Sequence, residues 1–425
     1  MKIMVVGGGG REHAIISKLR ENAQVEHIYA LPGNGGIAAL AECVPIKATD
    51  IDSVRDFAVA KRVDFAVVAP DDPLILGAAD LLCEAGIACF GPVKRAAVIE
   101  GSKVFAKELM IKYNIPTASY AVFEDAEQAL AYCDAAPHYP LVIKADGPAL
   151  GKGVLIAETK EAAHTDIDNI MRKRIFGSSG SRVVIEEFLS GPEVSVLAFT
   201  DGHTIRPMVS SMDHKRALDG DKGYNTGGMG AVAPNPYYTE EIAAECLEKI
   251  YLPTIRAMQA EGRLFKGCLY FGLMLTERGP RVIEYNCRFG DPEAQVVLPL
   301  LQSDLLTVMQ AVAEERLHEV EVKFSTENAC CVVLASGGYP QGYKTGFPIE
   351  FGETAQALLY HAGTRLEEGR CYTNGGRVLG ITALAPTLRG AIERAYGAVE
   401  QIDFLDKYYR RDIGRQALDH LLNQS

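Results

Sequence analysis

Over the first ninety residues short apolar runs alternate with helical stretches, and no other pattern in the chain restricts its fold so strongly. Lys2–Val6 reads as a buried strand, Gly7–Gly10 as a turn, and Arg11–Glu21 as a helix with Ala14, Ile15 and Leu19 on one face. The series continues with a strand near His27–Ala30, a helix near Ser53–Lys61, a strand Val63–Ala69, a helix Pro73–Ala85 stopped at Gly86, and a strand Ile87–Phe90. Strands joined by helices in this way run parallel, so the pattern predicts a doubly wound α/β sheet that binds ligands at the carboxyl ends of its strands. Ser102 is an N-cap for a helix Lys103–Tyr113, which sets the boundary of a Rossmann-like domain at 1–102.

The first turn, GGGGREHA at 7–14, invites a dinucleotide reading. Its glycine spacing fits loosely, but the acidic residue expected about twenty residues on, which would hold a ribose, is missing. The second strand runs instead into Ala30-Leu31-Pro32-Gly33-Asn34-Gly35-Gly36. A second turn rich in Gly and Asn suits a phosphate-bearing sugar better than a nicotinamide cofactor.

Further along, Pro140–Val154 reads PLVIKADGPALGKGV. An apolar run delivers Lys144 and then breaks into a loop with Gly147, Gly151 and Gly153 around Lys152. Glycine N–H groups approach phosphate oxygens without a Cβ in the way, and two lysines at the loop's mouth point to a polyphosphate. The loop is not a Walker A sequence, because Lys152 precedes Gly153 rather than Ser or Thr. Flanking helices and strands make residues 123–192 a compact α+β lobe, on which Lys103, Lys144 and Lys152 converge.

Asp213 to Gly230 form a polar, glycine-dense stretch read as a long functional loop without secondary structure, followed by a helix Thr239–Gly262. Lys266–Thr276 and Pro280–Cys287 read as a hairpin, and a helix Pro292–Leu301 comes next. Glu284 and Asn286 are two apart on a strand and share a face; two such oxygen donors opposite phosphates suit Mg²⁺, which takes few protein ligands. The run Arg288-Phe289-Gly290-Asp291-Pro292-Glu293 directly afterwards makes the pattern much more specific than an isolated ExN. Residues 326–425, with a strand Cys330–Ala335 and a closing helix Thr387–Ile402, read as a small α+β domain of structural character.

Composition narrows the function classes. A net charge of −12 over 425 residues argues against a nucleic-acid or membrane-surface binder, so an anionic ligand must be held by a focused site. The N-terminus lacks a signal-peptide h-region, and no apolar stretch is long enough to span a bilayer. The ten cysteines form no CxxC or Cys/His cluster, the pattern of reduced thiols in a cytoplasmic protein.

Taken together the motifs resemble the phosphoribosylamine–glycine ligase family of the ATP-grasp superfamily, over essentially the whole chain. The matching stretches are GGGGREHA at 7–14, LPGN at 31–34, EGSKVFAK at 100–107, KADGPALGKGV at 144–154, VVIEEFLSGPEVSVLAFTDG at 183–202, DHKRALDGDKGYNTGGMGA at 213–231, VIEYNCRFGDPEAQ at 282–295 and VLASGGYP at 333–340. The resemblance implies an ATP-grasp domain over 103–325, with ATP and Mg²⁺ or Mn²⁺ as cofactors. It implies that ATP, glycine and 5-phosphoribosylamine are turned into glycinamide ribonucleotide, ADP and phosphate through a glycyl phosphate, in purine synthesis. Lys103 and Lys144 would contact phosphates, and Gly151, Lys152 and Gly153 would close over them. Glu186, Glu187, Phe188 and Leu189 would face adenine through their backbone, with Glu193 on the ribose. Glu284 and Asn286 would ligate the metal. Gly9, Gly10, Gly33 and Asn34 would hold the amine's phosphate, and Asp213, Gly228, Met229 and Arg288 the glycine, with Arg288, Asp213 and Lys152 as the catalytic set. A monomer acting on small molecules follows, in transient contact with the enzyme that supplies the amine.

The sequence departs from the family pattern in four places. Ala69-Pro70-Asp71-Asp72 stands where Gly-Pro-Glu is usual, GPALGKG replaces GLAAGKG, and Tyr224 takes the place of a proline. Gly267–Thr276 carries no acidic residue, where many relatives have a second metal ligand. The nearest rival reading is another ATP-grasp carboxylate–amine ligase or a carboxylase, although nothing in the chain resembles a biotin carrier segment. A dinucleotide-dependent oxidoreductase lacks its ribose-binding acid, and a non-catalytic nucleotide-binding module has no use for the lysines, the ExN pair and the substrate loop together.

Overall fold

The computed structural model describes residues 1–147, 153–354 and 357–424. Its first ninety residues form a five-stranded, wholly parallel sheet in the order Glu42–Cys43, His27–Pro32, Lys2–Gly7, Phe65–Val68, Ala88–Phe90. The central strand is buried on both faces, as its unbroken apolar run requires. The helix expected over Pro73–Ala85 is two, Asp71–Leu76 and Ala78–Glu84, because Gly77 sits at φ +107°, where a right-handed helix cannot continue.

Ser102 caps the helix Lys103–Lys112 as expected, its hydroxyl accepting from Phe105 N–H at 3.1 Å. The lobe that follows carries a four-stranded antiparallel sheet ordered Tyr120–Phe123, Val183–Glu187, Leu141–Ala145, Val154–Ala157, with its own apolar core around Ile143, Ile167 and Ile185. Facing it is a second four-stranded sheet, Ile205–Pro207, Glu193–Thr200, Gly267–Thr276 and Gly279–Asn286. The cleft between the two sheets is where the expected nucleotide residues gather.

Half of the stretch read as a structureless loop is β-structure. Met212–Asp213 pairs with Gly230–Ala233, and Arg216–Leu218 forms a hairpin with Lys222–Asn225. What orders it is distant in sequence. Arg410, 1% exposed, pairs with Asp221 at 2.7 Å and Asp412 at 2.8 Å, Asp412 accepts from Gly220 N–H at 2.8 Å, and Tyr408 donates to the Ala217 carbonyl at 2.6 Å. Single-sequence periodicity cannot see such a clamp.

Met212–Asp213 and Gly230–Ala233 belong to one sheet with Asn328–Ser336 and Arg377–Ala385. One apolar core likewise runs from Ile3 and Val5 through the helix Leu305–Ala313 to Cys331 and Val333, so packing is continuous across residue 326. The helix read over Thr387–Ile402 spans Leu388–Val399 and is followed by another, Arg415–Gln424. The helices Lys94–Gly101 and Leu305–Ala313 were not expected from the sequence pattern.

Candidate active site

A cleft of about 570 Å³ lies between the facing sheets. On its floor Lys144 extends from the strand Leu141–Ala145. Val142 is in register with Glu186 on the next strand, so Lys144, two residues on, shares the face that Glu186 presents. The Lys144 ammonium lies 2.8 Å from Glu186 Oε1 and donates to the Ile283 carbonyl at 3.0 Å. Glu186 Oε2 lies 2.8 Å from Lys107 Nζ, which also donates to Thr117 Oγ1 at 2.8 Å. Burial pulls Lys107 down to about 8 even against Glu186, which favours its charge.

Lys107 was not singled out in the sequence, although its spacing of four from Lys103 puts both on one helix face. Lys103 donates to the Gly147 carbonyl at 3.1 Å; burial lowers its pKa, opposed by Glu284. The side chain of Glu186, expected to matter through its backbone, instead bridges two lysines. Glu187 turns away, accepting from Ser119 N–H at 2.9 Å and Arg278 at 3.1 Å. Phe188 and Leu189 line the cleft with Val142, Ile156 and Met274, an apolar slot suited to a flat ring. Gly153 lines it as well, whereas Gly151 and Lys152 lie outside the described residues.

Deeper in, Glu284 is ringed by cations. Burial disfavours its charge, yet Lys215, Lys144, Lys103 and Arg288 outweigh that and keep its pKa below the usual value. Lys215, also missed in the sequence although it lies in the DHKR run, has its ammonium 2.8 Å from Glu193 and 3.8 Å from Glu284. Burial works against that ammonium, but the two carboxylates hold its pKa well above that of an ordinary lysine. Glu193, expected on a ribose, is thus paired across the cleft.

Arg288 Nη2 lies 3.3 Å from Glu100 and donates to Asn286 Oδ1 at 3.0 Å, while its Nε is 3.9 Å from Asp71 and has no hydrogen-bond partner among the described residues. The shortened carboxylate at position 71 therefore still reaches this arginine. Among the described residues no three His, Cys, Asp or Glu side chains cluster to hold a metal. Glu284 and Asn286 offer two hard oxygen donors on one face, a set that fits Mg²⁺ only when phosphate oxygens and water complete the octahedron.

Asp213 ends the strand Met212–Asp213, and its Oδ1 is buried with no hydrogen-bond partner among the described residues. Burial, with Glu293 second, raises its pKa well above the usual value, against Lys215 and Arg377. Gly228, at φ +110°, lies against it: a Cβ there would come within 2.8 Å of Asp213 Oδ1 and 2.3 Å of Pro292. Met229 is fully buried in the C-terminal core, its N–H donating to His214 and its carbonyl accepting from Val333. It does not line the cleft.

A second hollow of about 330 Å³ is lined by Gly8, Gly9, Gly33, Asn34, Asp291 and Arg377, among others. Close approach dictates the glycines here: a Cβ on Gly8 would lie 2.4 Å from the Gly33 carbonyl oxygen. The REH that follows is buried architecture. Glu12 accepts from Gly9 N–H at 2.6 Å and from Arg11 Nε at 2.7 Å, Arg11 donates to the Phe289 carbonyl at 3.1 Å, and His13 Nδ1 accepts from His361 N–H at 2.9 Å. Asn34 spends its amide on structure, donating to the Gly8 and His361 carbonyls at 2.9 and 2.7 Å and accepting from Gly36 and Ile37 N–H. Gly10 packs against Gln295, where a Cβ would meet Nε2 at 2.5 Å.

Arg377, a residue of the segment read as structural, donates to the Asp291 carbonyl at 2.7 Å and lies 3.4 Å from its carboxylate. Asp291 lines both spaces, so it marks where the two meet.

Family descriptions match nearly the entire chain: the phosphoribosylglycinamide synthetase N domain over 1–100, the ATP-grasp (A) domain over 101–294 and the C domain over 329–416. Curated relatives include a phosphoribosylamine–glycine ligase of Caldanaerobacter subterraneus subsp. tengcongensis, 47% identical over 97% of this chain and 99% of its own, and one of Vibrio cholerae, 45% identical over 98% and 99%. Among solved structures, the phosphoribosylamine–glycine ligase of Thermotoga maritima superposes with a TM-score of 0.86 at 33% identity, covering 97% of this chain and 100% of its own. The biotin carboxylase domain of the Hydrogenobacter thermophilus 2-oxoglutarate carboxylase, solved with Mg-ADP, ADP and bicarbonate, reaches 0.73 at 17% identity over 96% and 91%, a likeness of fold alone.

Proposed function

This chain belongs to the phosphoribosylglycinamide synthetase family, an ATP-grasp ligase family, and from that premise we propose how its own residues carry out the ligation. The reaction joins glycine to 5-phosphoribosylamine with ATP cleaved to ADP and phosphate. A carboxylate is a poor acyl donor. Its oxygen therefore attacks the γ-phosphorus, giving glycyl phosphate; the amine then attacks the acyl carbon and phosphate leaves. No side-chain nucleophile is needed, only positioning and charge.

The observation that carries the reading is the convergence of Lys103, Lys144, Lys215 and Arg288 on Glu284. We assign Lys103 and Lys144 to the phosphates. When Lys144 turns to them, Lys107 stays on Glu186 and leaves no bare buried carboxylate. The apolar slot at Phe188 and Leu189 takes adenine, with Glu193 at the ribose end, and the loop holding Gly151, Lys152 and Gly153 covers the phosphates. Glu284 and Asn286 hold the metal, assigned as Mg²⁺ on their hard oxygens; when bound it neutralises phosphate charge.

Arg288 orients the glycine carboxylate and Asp213, beside Gly228, accepts its ammonium. The backbone of Gly9 and Gly33 lines the hollow assigned to the amine's phosphate. Domains at 1–102, 103–325 and 326–425 are retained as functional divisions. The ten free cysteines suit a reducing cytoplasm. A monomer receiving its amine from the preceding enzyme completes the reading.

The test incubates the protein with ATP, Mg²⁺ and phosphoribosylamine generated in place, and measures ADP with and without glycine. Glycine-dependent release is expected. Release that ignores glycine, or responds equally to alanine or bicarbonate, overturns the assignment.

A further inference from the structure

Glu293 is a buried carboxylate that nothing above employs. It is 4% exposed and lines the cleft, yet among the described residues its carboxylate has no hydrogen bond or ion pair. A buried carboxylate without a partner is costly, so a site that keeps one has a use for it. Gly290 makes room for it: a Cβ at 290 would lie 2.3 Å from Glu293 Oε2. The titratable and charged groups near enough to feel its charge are Asp213, Arg288 and Arg377, with Tyr270 and Cys268 from the strand Gly267–Thr276. It lies two residues from Asp291, where the hollow lined by Gly9 and Gly33 meets the cleft.

We propose that Glu293 is the base that takes the proton from the attacking amine at the junction of the two spaces. The nitrogen lone pair forms the C–N bond as the carbonyl π pair moves to oxygen, leaving an ammonium. Its N–H proton passes to a Glu293 oxygen, the carbonyl re-forms, and the C–O bond to phosphate breaks with its electron pair on the departing phosphate. Glu293 then returns its proton to water. Asp213 serves the glycine ammonium and leaves this step to its neighbour.

The proposal rests on the ligase reading, and the experiment separates the two. With hydroxylamine as nucleophile, ATP and glycine yield glycyl hydroxamate without the amine's hollow; with phosphoribosylamine they yield the amide. Glu293→Gln is expected to form hydroxamate within about threefold of the unmodified protein while amide formation falls on the order of a hundredfold or more, the usual worth of a positioned base. Glu293→Asp should recover part of the rate. Equal loss of both products places Glu293 in phosphoryl transfer or folding, and loss of neither removes it from catalysis; either overturns the proposal. An unmodified protein that forms no hydroxamate at all refutes the ligase reading itself.

Discussion

Two parts of the molecule crowd charged side chains together and use them in opposite ways. In the first turn Arg11, Glu12 and His13 are all buried, each bonded to a backbone group or to one another. In the cleft, Glu284 faces several cations, and among the described residues Arg288 Nε and Asp213 Oδ1 lack hydrogen-bond partners. A network closed on itself stabilises a turn; one left open is prepared for a ligand. Sequence alone shows charged residues among glycines in both cases.

The contrast predicts that cleft substitutions lower turnover with little effect on folding, and turn substitutions the reverse. Glu284→Gln should lower kcat on the order of a thousandfold while the urea midpoint stays put. Normal turnover at ordinary Mg²⁺ would contradict the metal assignment. Glu12→Ala removes one side of a buried pair and should cost about 3 kcal/mol in urea unfolding, with the kcat of the folded fraction nearly unchanged. Lys144→Ala should raise the KM for ATP about thirtyfold, roughly 2 kcal/mol, with stability altered less because Lys107 still neutralises Glu186.

The smallest effect concerns pH. Burial, with His361 second, holds His13 down to about 3, so the folded state keeps it neutral while the unfolded chain protonates it near 6.5. Its contribution to stability is therefore lost progressively as pH falls from 6.5 towards 3. Between pH 6.5 and 5.5 the stability lost through it is about 1 kcal/mol. A His13→Gln protein should show a correspondingly flatter dependence in paired urea titrations, and an identical slope would place the titration elsewhere. His214 and His361, each lowered to about 4 by burial first, act in the same direction and set the slope that remains.

Much of the architecture was readable from local pattern: the alternating strands and helices, the Ser102 cap, and the hairpin that sets Glu284 and Asn286 on one face. What escaped depends on distant contacts. The 213–230 ribbon is ordered by Arg410 and Asp412, some 190 residues away. Lys107 and Lys215 lie within the EGSKVFAK and DHKR runs, but nothing local marks either one out; their pairings are with residues distant in sequence, Glu186 for one, Glu193 and Glu284 for the other. Asn34 and Met229 sit inside motifs rich in ligand-like residues, yet hydrogen bonds or burial in the core engage both.

The clamp closed by Arg410 has a consequence for the order in which the protein becomes able to act. Translation proceeds from the N-terminus, so the cation-lined cleft is synthesised well before the segment that holds Arg216, Asp219 and Asp221 of the ribbon in place. On the ribosome, then, the lysines of the cleft are present while the 216–221 part of the ribbon is still unclamped. A polypeptide cut short before residue 410 is therefore expected to lack the clamp on this ribbon and to bind ATP better than it ligates.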